Sequence, residues 1–75
     1  MAVTRKMVDR QCEELDSIKS ILEDYLEQKQ EVLDNEESKD YPNEDRLDKL
    51  NDQIEILQEA IDNLETVIDI LSEYE

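Results

Sequence analysis

Between residues 47 and 71 apolar side chains recur at alternating intervals of three and four. Leu47, Ile54, Ile61 and Ile68 share one heptad position, and Leu50, Leu57, Leu64 and Leu71 fall three residues later, unbroken over four heptads. This spacing predicts a helix with a coiled-coil seam, read as a self-association seam that meets the preceding helix and then a second copy of the chain. The apolar stripe is wider than a two-stranded seam needs. Ala60, Val67 and Tyr74 flank it on one position, and Ile56 and Ile70 lie one position further round. Such widening predicts contact with more than one neighbouring helix.

The N-terminal half carries a second, less regular stripe. Val8, Leu15 and Leu22 mark one position, Ile18, Tyr25 and Val32 are read three residues on, and Cys12, Leu26 and Leu33 lie beside them. Gln11, Lys19 and Lys29 interrupt it, while Met7 and Ile21 broaden its other side. The two lysines either mark a register or snorkel past the core.

Between the stripes lies DNEESKDYPNED, residues 34–45. Pro42 cannot continue a helix and pushes Tyr41 out of the α region, so one helix ends before it and another starts at it. The expected elements are a first helix over about 4–35, a turn over about 36–42 and a second helix over about 43–74. Asn35 is the expected left-handed C-terminal residue of the first helix. Asn43 is placed to cap the second or to sit just inside it, with Glu44 and Asp45 favourably in its first turn. Each helix then has about 30 residues and spans roughly 45 Å, a match that favours an antiparallel hairpin. The predicted fold is all-α: a helical hairpin with coiled-coil packing as a single domain, two copies of which form a four-helix bundle that covers the surplus apolar surface.

Composition reinforces helix. The chain has no glycine and one proline, so tight hairpin turns and β-bulges have no natural seats. Seventy-five residues bury little surface, which makes self-association the default expectation. Eight Lys and Arg against 23 Asp and Glu give a net charge of −15, which argues against direct contact with nucleic acid or an anionic membrane. No segment has the length of a membrane span or of a signal-peptide apolar run. The single cysteine, Cys12, excludes an intrachain disulfide framework and fits a reducing cytoplasm.

The charge is patterned. Asp48, Asp52, Glu55, Glu59, Asp62, Asp69 and Glu73 form an acidic stripe broken only by Thr66, and no Lys or Arg follows Lys49. Acids spaced by three and four repel, and acids in a last turn oppose the helix dipole, so the stripe costs helix stability. Two charges per heptad is about one per 5 Å of axis, against about 3.4 Å for a DNA strand. A solvated face is the ordinary reading of such a row, and nucleic-acid mimicry is the sharper one.

Chemistry is absent from the pattern. Without histidine there is no Ser-His or Cys-His pair and no Glu-x-x-His motif of the di-iron bundles. Without glycine there is no phosphate-cradling loop. Cys12, on the apolar side of its helix, reads as a small core filler. Asp34, Glu36, Ser38 and Asp40 alternate as calcium-loop ligands do, but Lys39 occupies the glycine position, Pro42 a ligand position and Asp45 the place of a bidentate Glu. The reading is therefore non-enzymatic, with no cofactor and no metal. Tyr25 and Tyr74 read as edge-of-core residues; Tyr41, beside the proline, either packs on the hairpin end or anchors a partner.

The run VLDNEESKDYPNEDRLDKLNDQIEILQEAIDNLETVIDIL resembles small acidic helical-hairpin proteins that recur in phages and prophages. The likeness covers the C-terminal half and rests on the Asp-Asn stretch and on Ala60 to Glu65, although the glycine expected shortly after the turn is missing. It implies a mobile-element accessory protein that binds a host protein, and assigns no role to any residue. Two functional classes follow. One is a self-associating protein-interaction module; the other is an inhibitor whose acidic stripe occupies the basic groove of a DNA- or RNA-binding protein.

Overall fold

A computed structural model describes residues 2–75, in which two helices pack against each other. Helix α1 spans Arg5–Glu37 and helix α2 spans Glu44–Leu71. Both start on capping side chains. Thr4 is extended, and its hydroxyl accepts the Met7 N–H at 3.3 Å; Asn43 is also extended, and its Oδ1 accepts the Arg46 N–H at 3.1 Å. Each bond satisfies one of the N–H groups that a helix start leaves without a partner.

The end of α1 differs from the sequence expectation. Asn35 lies inside the helix, and no described residue has a positive φ. Ser38 closes α1 in right-handed geometry, donating both its N–H (3.1 Å) and its hydroxyl (2.8 Å) to the Asp34 carbonyl. That double bond satisfies an end carbonyl without a left-handed residue, so α1 runs beyond residue 35. Helix α2 stops at Leu71, short of the expected 74. Ser72, Glu73 and Tyr74 continue with tighter turns, Glu73 N–H to Ile70 O and Tyr74 N–H to Leu71 O. Tyr74 is held elsewhere: its hydroxyl donates to the Val3 carbonyl at 2.6 Å and its carbonyl accepts from Arg5 Nη1 at 3.0 Å.

Those two bonds tie the chain termini together at one end. Lys19 meets Glu65 in mid-hairpin, and Glu36 meets Asn43 at the turn. The pairing is therefore antiparallel, in a rod of 60 × 17 × 14 Å. The core is thin. Val8, Leu50, Ile54 and Ile61 are its buried apolar residues, and Leu47, Leu57, Leu64, Ile68 and Leu71 are half-buried along the same seam.

Helix α1 meets that seam with a different row from the one expected. Its inward residues are Val8, Cys12, Leu15, Lys19, Leu22, Leu26, Lys29, Leu33 and Glu36, a continuous four-three repeat. Ile18, Tyr25 and Val32 are exposed. Both repeats share Val8, Leu15 and Leu22, so spacing alone cannot choose between them. The observed choice keeps Gln11 in solvent and brings Cys12, Leu26 and Leu33 inward. It also lets the Lys19 stem lie on the seam while its ammonium reaches Glu65 at 3.2 Å.

Candidate interaction surface

One consequence of that register is a second, uncovered apolar row on each helix. On α1 it holds Met7, Ile18, Ile21, Tyr25 and Val32, and on α2 Ile56, Val67, Ile70 and Tyr74, with half-buried Ala60 among them. In each helix this row lies immediately beside the inward one. In an antiparallel pair the two rows fall on the same side, and a groove of about 450 Å³ confirms it: Tyr25, Gln28 and Val32 form one wall, Gln53 and Ile56 the other. Lys29 and Leu57 lie in its floor and edge. Among the described residues, nine of the eleven large apolar side chains that remain exposed belong to this one face, Val3 and Tyr41 being the other two.

The same face is poor in acids. Among and beside the named apolar residues lie Gln11, Glu14, Gln28 and Lys29 on α1 and Arg46, Lys49, Gln53 and Asn63 on α2, one acid and three bases in a chain of net charge −15. The charge lies elsewhere. All seven acids of the predicted stripe, from Asp48 to Glu73, are exposed on the flank and back of α2, and among the described residues none has a cation within ion-pair distance. Asp9, Asp16 and Glu23 of α1 occupy the flank of that helix away from the apolar face. Lys19 crosses to this acidic side to pair with Glu65.

Two titratable groups are shifted, both by contacts that hold the hairpin. The Glu65 hydrogen bond raises Lys19 above the usual 10.5, against a smaller opposing effect of desolvation. Glu36 is the one buried charged residue, 3 % exposed. Its carboxylate is bonded by the Lys39 ammonium and accepts the Asn43 N–H at 3.3 Å, and these contacts lower it below the usual 4.5 although desolvation works the other way. Glu36 escaped the sequence reading. It is nonetheless the next step of the Val8, Leu15, Leu22, Lys29 series, which was the signal available.

The remaining candidates are placed as follows. Tyr41 is 94 % exposed at the turn and does not pack on the hairpin end. Cys12 is a half-buried free thiol on the seam. Of the residues that alternate in calcium-loop fashion, Glu36 is turned onto Asn43 and Ser38 caps α1. Among the described residues no group of three or more His, Cys, Asp or Glu is arranged to hold a metal ion, and no helix is long and apolar enough to cross a membrane. In comparisons with protein-family models, curated proteins and solved structures, the chain matches none.

Proposed function

We propose that this protein is a non-enzymatic interaction module that self-associates through its acid-poor apolar face into a four-helix bundle and turns its acidic surface outward. The observation that carries the reading is the segregation of nine exposed large apolar residues onto one face of a chain whose net charge is −15. Contiguous apolar surface on a small soluble protein marks a binding site. Of the partners that could cover it, a second copy fits best. A face about 45 Å long and 17 Å wide offers roughly 750 Å², close to the roughly 800 Å² per partner of a standard interface. Two copies meeting there keep their acidic flanks apart, which minimises the repulsion that would oppose any other mode of pairing.

Sedimentation equilibrium over a concentration series tests this directly. The expected result is a reversible dimer; a hairpin that stays monomeric at every concentration overturns the reading.

A second reading is favoured by the unpaired, fully exposed acidic stripe. Asp48, Asp52, Glu55, Glu59, Asp62, Asp69 and Glu73 remain free in the bundle and offer a surface to a basic host protein, including one that ordinarily holds DNA or RNA. Reversal of Asp52, Glu55, Glu59 and Asp62 to lysine leaves the apolar face intact. If the stripe binds a basic partner, capture is lost on reversal and weakens steeply as salt rises; capture that survives both counts against it.

A further inference from the structure

The apolar face is uneven along its length. Towards the turn it is hollow, where the groove of about 450 Å³ opens between Tyr25 and Val32 on one side and Gln53 and Ile56 on the other. Towards the termini it carries Val67 and Ile70 of α2, which are 41 % and 61 % exposed. The bonds between Val3 and Tyr74, Lys19 and Glu65, and Glu36 and Asn43 fix which residues are level across the hairpin. By that register the midpoint of the rod lies near Ile21 and Ala60. At 1.5 Å per residue the groove is centred about 10 Å to the turn side of it, and Val67 and Ile70 lie about 10 to 15 Å to the other side.

Resting on the self-association proposed above, we infer that the two copies pack head to tail, each burying Val67 and Ile70 in the groove of the other. A two-fold axis near Ile21 and Ala60 brings these side chains onto the groove at both ends of the bundle. Pairing with both turns at the same end sets groove against groove. It would leave both grooves unfilled, at the cost that unfilled apolar space carries in a packed interface.

Charge selects the same arrangement. The turn end, Asp34 to Arg46, carries six acids and two bases, a net of −4, whereas the open end, Arg5–Arg10 with Ile70–Glu75, carries three of each, a net of zero. Head-to-tail packing places each −4 turn beside a neutral end. The alternative places two −4 turns together. On the face itself, Glu14 comes level, within about three residues, with Lys29 of the second copy, the lysine that lines the groove.

The test uses the full chain with Cys12→Ser to remove the native thiol. A spin label on Tyr41→Cys, at the exposed tip of the turn, reads orientation by pulsed dipolar spectroscopy. Head-to-tail packing of rods 60 Å long predicts a separation near that length. Turn-to-turn packing brings the labels within about 25 Å, two helix spacings plus the label arms. In a second variant, Gln28→Cys with Ile70→Cys in the Cys12→Ser chain, the two sites lie about 25 Å apart along one hairpin, too far for a bridge within one copy. Mild oxidation should therefore yield disulfide-linked dimers on a non-reducing gel. A short label distance and no cross-link, in a sample that sediments as a dimer, overturns the head-to-tail arrangement and leaves self-association standing. A sample that sediments as a monomer overturns both.

Discussion

Replacing Ile56 by alanine separates the apolar face from the seam. In the single hairpin Ile56 is 64 % exposed, so it adds little to the packing of α1 on α2. Full burial of an isoleucine side chain is worth about 1.5–3 kcal/mol, so covering the remaining two-thirds contributes about 1–2 kcal/mol per copy, most of which alanine loses. A two-fold dimer contains the position twice, so the loss is about 2–3 kcal/mol. That corresponds to a dissociation constant weaker by roughly 30- to 150-fold. Alanine also has the higher helix propensity, so α2 itself is not weakened. The assay is sedimentation equilibrium on wild type and variant, with circular dichroism confirming equal helicity below the dissociation constant. Ile61→Ala is the contrast, because Ile61 is buried on the seam. It should cost about 2–5 kcal/mol of folding stability and remove helical signal and dimer together. An Ile56→Ala dimer that dissociates within about threefold of wild type refutes the placing of Ile56 in the interface, and a loss of helicity shows that it holds the hairpin instead.

Three further outcomes are expected. Glu36 is lowered on folding, so its contribution is fully present above its unfolded value near 4.5 and is lost as pH falls through the folded value; the gap in melting temperature between wild type and Glu36→Gln should therefore narrow on acidification below 4.5. Lys19 is raised, so its contribution is full below 10.5 and is lost as pH rises through the folded value; the gap between wild type and Lys19→Met should close only in alkali above 10.5. Asn43→Ala removes the cap of α2 and should cost about 1 kcal/mol in urea unfolding, recovered in part by Asn43→Asp, while an unchanged midpoint would mean the Arg46 N–H finds water as readily.

The seam of α2 was legible because strict Ile and Leu heptads admit one register. The turn was legible because Pro42 leaves the chain one place to break, and Asn43 beside it has a side chain suited to a cap. Helix α1 was legible as a helix and misread in its facing. Val8, Leu15 and Leu22 belong to two four-three repeats at once, and only the demand of the partner helix decides between the Ile18, Tyr25, Val32 row and the Cys12, Lys19, Leu26, Leu33 row. The Ile18, Tyr25, Val32 row was expected inside, but the other row has as many apolar residues, and its lysine keeps a half-buried stem while its ammonium finds Glu65. Glu36 was missed for a related reason: its burial depends on the Asn43 N–H arriving from across the turn, a contact no local pattern encodes. The breadth of apolar positions in both halves was visible in the sequence, whereas their confluence on one face emerges only when α1 takes its observed register.

That register explains how so acidic a chain can hold a fold with four buried apolar residues. Burying the Ile18, Tyr25, Val32 row of α1 within the hairpin would have left Cys12, Lys19, Leu26 and Leu33 outside, a mixed surface less suited to a second copy. Turning that row outward enlarges the exposed apolar face, and under the proposed self-association this acid-poor face is the side on which two chains of charge −15 would meet. The seam alone buries little, so a monomer of this size is marginal on its own. By mass action its melting temperature rises with protein concentration, and it rises with salt as repulsion between the acidic flanks is screened. A melting temperature independent of concentration would mean that the thin seam of α2 suffices, and that the apolar face is held for a different partner.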